Sequence, residues 1–298
     1  MANHLIYYLF RLFRALILYL PKGLWIGFFK TLGGLVYRLN TKHRRIILAN
    51  LDHAYGDTIT RDEKEAIAKQ CFQNFFVYAA DFVHASNQSP EYLKSHVTVE
   101  NEHILDEALA RGEKIILVSA HYGVWEMILH TVGAFKAPIA TIAERIRNSE
   151  RLNETLAEYR QKNNVVMFKK RGALVKIVKA LREGNILAYL VDQSYSKGLE
   201  VTFFGQPVLH VQSASQLSRK YGALLLPVFC TTDDYKTYTI RFQEPFTCEV
   251  TEDEETDILR CTQRQSDIIE QAVRERPADY FWFHKKFKAK SPELYRNL

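Results

Sequence analysis

At 298 residues, 47% of them hydrophobic, the chain is long enough for one large α/β domain or two small ones and too apolar to be disordered. Forty Lys and Arg against 34 Asp and Glu leave a net charge of +6 and a pI near 9.0, which favours anionic partners: phospholipid headgroups, nucleic acid or an acidic carrier protein. Cys71, Cys230, Cys248 and Cys261 form no Cys-x-x-Cys pair, so neither a zinc site nor a disulfide framework is expected, and the thiols read as buried and reduced in a cytoplasm.

Residues 5–39 are mostly aromatic and aliphatic, but Arg11, Arg14, Lys22 and Lys30 interrupt them. No uncharged run reaches the roughly 20 residues of a spanning helix. Arginines inside the apolar stretch, with no small-residue cleavage site after it, argue against a signal peptide. On a continuous helix Arg11, Arg14 and Lys22 would share an arc of roughly 80°, and Pro21 with Gly23 predicts a break. Cations among Trp25, Phe28, Phe29 and leucines suit a helix lying in a membrane interface and reaching lipid phosphates. The alternatives are a short tilted span and a soluble cap helix packed on the core. Residues 1–40 are therefore expected to be a membrane anchor and 41–298 a single domain, since no linker rich in Pro, Gly or Ser and no internal repeat divides the rest.

After a basic turn at Thr41–Arg45, residues 46–51 read as helical. Thr60 and Glu63 form a capping box that opens a helix running to about Ser86, with Ala66, Ile67, Phe72, Phe75, Phe76, Ala79 and Phe82 at helical spacing. These aromatics read as core. From about residue 97 strand and helix patterns alternate. Strands are expected at 114–120, 137–143, 165–169, 185–191, 224–230 and 237–243, and helices at 125–135, 149–163, 172–183 and 213–221. This predicts an α/β fold with a central, mostly parallel or mixed sheet flanked by helices, whose ligands sit beyond the carboxyl ends of the strands. A last helix, about 253–276, precedes an aromatic and basic run, Tyr280–Lys288.

The chemistry concentrates at His121-Tyr-Gly-Val-Trp-Glu126, which follows the strand-like run 114–120. A histidine at a strand end, with a carboxylate in the helix that follows, can serve as a general base with an orienting acid. None of the other nine histidines has an acid at that offset. Gly123 would let a substrate carbonyl approach the backbone, and nearby helix-start amides could bind an oxyanion. Asp192, followed by Gln193, closes the strand ending at Val191. It is either a second partner for His121, a partner for a substrate-binding arginine, or a simple cap. Arg145, Arg147 and Lys169-Lys-Arg171 follow strand ends, where they could bind phosphates or form a solvated rim. Phe203-Phe-Gly205 could line an acyl groove. Ser213 and Ser215 lack a nucleophile elbow, and no phosphate loop or dinucleotide fingerprint is found, so the chemistry is expected to need neither cofactor nor metal.

Ser119-Ala-His-Tyr-Gly-Val-Trp-Glu126 resembles the Gly-His-x-Gly-Asn-Trp-Glu motif of the bacterial lipid A late acyltransferases, within the wider lysophospholipid acyltransferase superfamily. Further matches run in order: the N-terminal apolar helix, Arg44-Arg45 with Asn50-Leu51, Arg145, Arg171, Asp192-Gln193, Phe203-Phe-Gly205, Tyr221-Gly-Ala223 with Pro227, and Trp282-Phe-His-Lys-Lys-Phe287. Val124 departs from the pattern, which often has Asn there. The resemblance implies an enzyme of the inner membrane, acting on its cytoplasmic face. It would transfer an acyl chain from acyl carrier protein to a hydroxyl of a lipid A precursor. His121 would be the base, Glu126 its partner, and Arg145, Arg171 and Asp192 would shape the phosphate and thioester site, with Gly123 and Gln193 also in the substrate-binding set. Other lipid acceptors, such as a glycerolipid, an ornithine lipid or a polyketide-like chain, remain open. A non-catalytic membrane or nucleic-acid binding protein is the contrasting class, but no nucleic-acid-binding module is recognisable and no such partner is expected.

Overall fold

Proline governs the start of the chain. Helix α1 (Ala2–Tyr19) ends just before Pro21, which caps α2 (Lys22–Leu39) and accepts from the amide of Leu24 at 2.9 Å. Helices α3 (Thr41–Tyr55) and α4 (Arg61–Ala85) follow, and α4 opens with the expected capping box between Thr60 and Glu63. The computed structural model describes residues 2–143, 150–169, 172–296 and 298.

The N-terminal segment packs on the rest of the fold. Trp25, Ile26, Phe29 and Gly33 of α2 are buried, and α2 lies along α4. Gly33 is required there: a Cβ would come within 2.7 Å of the Cα of Gln73. Lys22, expected to reach lipid phosphates, points into the protein. Its Nζ donates to the hydroxyl of Tyr238 at 2.6 Å and lies 3.5 Å from Asp81 Oδ1, and burial holds its pKa below the ordinary lysine value even with Asp81 beside it. No helix among the described residues is long and apolar enough to cross a membrane. Outward, α1 and α2 present the apolar Tyr8, Leu9, Leu12, Tyr19, Leu24 and Phe28 together with the exposed Arg11, Arg14 and Arg38.

Among the described residues nine strands follow: β1 (Val97–Glu100), β2 (Ile115–Ser119), β3 (Ile139–Ala143), β4 (Val165–Lys169), β5 (Ile186–Leu190), β6 (Leu199–Phe203), β7 (Gln206–His210), β8 (Leu224–Thr231) and β9 (Tyr238–Phe242). Seven form one sheet in the order β1-β9-β8-β2-β5-β3-β4, parallel throughout except for the β8/β9 pair. Every residue of β2 is buried, as in a sheet covered on both faces. Side chains alternate between two cores. Ile116, Val118, Leu187 and Leu225 face α3, α9 (Ala173–Arg182), α10 (Ser213–Tyr221) and α11 (Glu254–Glu275). Ile115, Leu117, Ile186 and Leu226 face α2, α5 (Pro90–His96), α6 (Glu102–Ala110) and α7 (Trp125–Phe135). Helix α4 contributes to both cores. Helix α8 is Glu150–Arg160.

Periodicity missed β1, α5, α6 and the β6/β7 hairpin. β1 is four residues long and only half-buried, too short to show alternation. In the hairpin, Phe204 (φ 55°) and Gly205 (φ 70°) make a two-residue turn with both φ values positive, the geometry that suits strand twist. Phe203 and Phe204 are buried against Tyr280, Trp282 and Phe287. They tie the hairpin to the C-terminal segment and do not line a groove as expected.

Candidate active site

Strands β2 and β5 are parallel neighbours with Ser119 opposite Leu190. Two residues beyond each lie His121 and Asp192, so register alone brings them level at the carboxyl edge. His121 Nδ1 sits 2.8 Å from Asp192 Oδ1, and the His121 main-chain amide donates to the same oxygen at 3.1 Å. Asp192 is 1% exposed. Burial would raise its pKa, but His121 and the nearby Lys286 ammonium outweigh it and hold the carboxyl well below the usual carboxylate range. Burial likewise opposes charge on His121, yet Asp192 wins and raises the imidazole above its ordinary value.

Glu126 does not make the expected contact with His121. Residues 121–124 leave the strand in a non-helical turn, and α7 begins only at Trp125, so the two residues do not share one helix. Glu126 turns instead to α8. Arg160 donates to its Oε1 through Nε at 2.8 Å and also through Nη2, while Oε2 has no partner among the described residues. Glu126 still contributes to the field on His121.

Gly123 lines the cavity beside the site, and it also has a packing task. Its amide donates to the Asp279 carbonyl at 2.9 Å, and the Val124 amide donates to the Cys230 carbonyl at 2.9 Å. At φ +56° a Cβ on Gly123 would lie 2.0 Å from that Cys230 oxygen. The glycine lets the His121 turn pack on β8. Gly123→Ala should therefore destabilise the fold by roughly 2–4 kcal/mol, combining backbone strain with overpacking. A denaturant midpoint unchanged from wild type would refute this.

Gln193 closes the site. Its Nε2 donates to His121 Nε2 at 3.2 Å and to His284 Nε2 at 2.9 Å. Burial keeps the His284 pKa below the ordinary value despite Asp192, which suits an acceptor nitrogen. The segment carrying His284 is pinned twice. The Phe281 amide donates to the His121 carbonyl at 2.9 Å, and the fully buried Asn50 side chain donates to the carbonyls of Trp282 and His284 at 2.7 Å each. Beside the site lies a cavity of about 380 Å³ lined by Phe10, Phe13, Phe75, Phe82, Trp125 and Leu156, together with Glu126 and Arg160. Phe75 and Phe82, expected in the core, are cavity wall.

Arg145, Arg147, Lys170 and Arg171 lie outside the described residues, as does the Lys169 side chain. Three participants were not singled out from the sequence: Arg160, His284 and Lys286. The last two lie in the aromatic and basic run after α11, where the order of residue types was the available signal. Arg160 had none, being one cation in a charged helix.

With Nδ1–H on a buried carboxylate, the His121 lone pair falls on Nε2, the arrangement a general base needs, beside an apolar cavity. The chain belongs to the bacterial lipid A biosynthesis acyltransferase family, whose model matches residues 1–289. The lipid A biosynthesis acyltransferase of Haemophilus influenzae is 25% identical over 274 residues, covering 88% of this chain and 85% of that protein. The phosphatidylinositol mannoside acyltransferase of Mycobacterium tuberculosis is 24% identical over 197 residues, or 64% of this chain, and the match spans about 60% of that relative's length. The lipid A biosynthesis palmitoleoyltransferase of Escherichia coli is 27% identical over 196 residues, 64% of this chain and 61% of that protein. Among solved structures, the 1-acyl-sn-glycerophosphate acyltransferase PlsC of Thermotoga maritima aligns with 85% of this chain and 96% of that chain, at a TM-score of 0.40 and 16% identity.

Proposed function

We propose that this protein transfers a fatty acyl chain from an acyl carrier protein thioester to a hydroxyl of a lipid A precursor. The observation that carries the reading is the His121–Asp192 pair, 2.8 Å apart at the edge of an apolar cavity large enough for a ligand. Family membership supports the acyl chemistry and the kind of acceptor. The acceptor hydroxyl takes the place of the Gln193 amide at His121 Nε2. His121 removes the hydroxyl proton, Asp192 stabilises the resulting imidazolium, and the oxygen attacks the thioester carbonyl. The C–S bond then breaks, and His121 passes its proton to the departing sulfur, which leaves as the thiol and restores the neutral ring. Trp125 and Glu126 open α7, where backbone amides have no helical acceptor and could face the oxyanion. The step needs no cofactor or metal.

The acyl tail would lie in the cavity between α1, α4, α7 and α8. The exposed apolar residues of α1 and α2 would rest on the cytoplasmic face of the inner membrane, among its phospholipids, and the +6 charge would draw in an acidic carrier. The test is an in vitro assay of the purified chain with acyl carrier protein and coenzyme A thioesters. Acceptors would be a lipid A precursor, a glycerolipid and, because the mycobacterial relative is named for it, phosphatidylinositol mannoside. Transfer from the carrier protein to the lipid A precursor is expected. Transfer only to another acceptor would replace the acceptor assignment, and no transfer from any thioester would overturn the reading.

A further inference from the structure

Lys286 is a buried cation with no role in the steps above. It is 2% exposed, and its Nζ donates to the main-chain carbonyl of Asp192 and lies 4.7 Å from the centre of the Phe203 ring. It forms no salt bridge with a carboxylate oxygen among the described residues. Its neighbour Lys285 is only half-buried, lying over the Tyr295 ring at 5.4 Å, so of the adjacent pair it is Lys286 that reaches the site. A charge removed from water this far is costly unless an opposite charge compensates. The acid that faces it is Asp192.

We propose that Lys286 is a positioning residue of the acid–base pair: the buried cation that balances Asp192 and fixes the main chain from which the carboxylate reaches His121. This rests on the function proposed above, with His121 as base. The direct contact is to the Asp192 backbone, so the same group sets both the local charge and the aim of the side chain. Besides His284, whose pKa burial holds below the ordinary value, the titratable group close to both is the fully buried His210. Its ring nitrogens have no partner among the described residues, and burial keeps it neutral, so it cannot supply the positive charge. Among the described residues, the groups facing His121 are Asp192, Glu126, Arg160 and His284, those facing Lys286 are Asp192, His210 and His284, and Asp192 also meets the buried Tyr280 hydroxyl. Burial draws the Lys286 pKa down to about 8, with Asp192 acting against it. The ammonium therefore persists at neutral pH.

A cation beside the pair opposes proton uptake by it. Removing the charge should make the His121–Asp192 pair take up its proton at higher pH, as one coupled unit. Lys286→Met keeps an unbranched chain and removes the charge, Lys286→Gln removes it with a polar end, and Lys286→Arg keeps it. The acid limb of the pH profile of kcat/KM should move up by about one pH unit in the Met and Gln variants and by less in Arg. A role confined to packing would not move it. The second readout needs no acyl transfer: the pH dependence of His121 carbethoxylation by diethyl pyrocarbonate, followed by mass spectrometry in all four proteins. An unchanged His121 titration in whichever of the Met and Gln variants keeps the wild-type melting profile would overturn the inference. A wild type with no transferase activity, in which His121 carbethoxylation still shifts on loss of Lys286, would overturn the proposed reaction and leave the charge balance standing.

Discussion

Replacing His121 by Ala lowers acyl transfer by a factor of roughly 10²–10⁴, the usual contribution of a positioned general base. Folding should survive, because the ring is not a core element. Its side chain is 20% exposed, and the backbone contacts that hold the turn, from the Phe281 amide to the His121 carbonyl and from the Gly123 amide to Asp279, do not use the imidazole. Transfer rates with matched circular dichroism and melting curves check this. A His121→Ala protein with wild-type turnover would remove the base from the mechanism.

Asp192→Asn should lose roughly as much, about 10²–10⁴-fold, as expected for a base deprived of its orienting acid. The charge on Asp192 is what overcomes burial and raises the His121 pKa. Base function requires neutral His121, so wild-type kcat/KM should fall as the pH drops through a value above the ordinary 6.5. Without the carboxylate, burial prevails and that fall moves to lower pH, while the maximum drops because the ring loses its tautomer and aim. Glu126→Gln should move the limb far less. Its main consequence is to leave the Arg160 guanidinium half-buried without its carboxylate, which should show in stability and in binding of the acyl donor. If Glu126→Gln shifted the limb as much as Asp192→Asn, the orienting role would return to Glu126.

The strands carrying His121 and Asp192 were legible because buried parallel strands are continuous apolar runs, and those runs end where chemistry begins. Which acid touches the histidine was not legible. The helix expected from residue 125 begins there, but the turn around Gly123 that sets its direction, and the Arg160 guanidinium on α8 that draws Glu126 away, are tertiary features with no mark in the spacing. Asp192 is found through strand register, a relation between segments 71 residues apart. The cavity was hidden for a similar reason. Phe75 and Phe82 carry the helical spacing of any core face, and it is the placement of Phe10 and Phe13 opposite them that leaves space between. Lys22 shows the reverse error, a cation in an apolar run that reads as a lipid contact and proves to be half of a buried ion pair.

Phe10 and Phe13 matter for how the protein is handled. They belong to α1, and so do the outward-facing Tyr8, Leu9 and Leu12 that an experimenter would trim to improve solubility. Deleting that helix would unroof the cavity and expose Tyr78 and Phe82 to water. A shortened chain that behaves well in solution would then be a poor instrument for measuring acyl-chain preference, because the missing residues are part of the gauge.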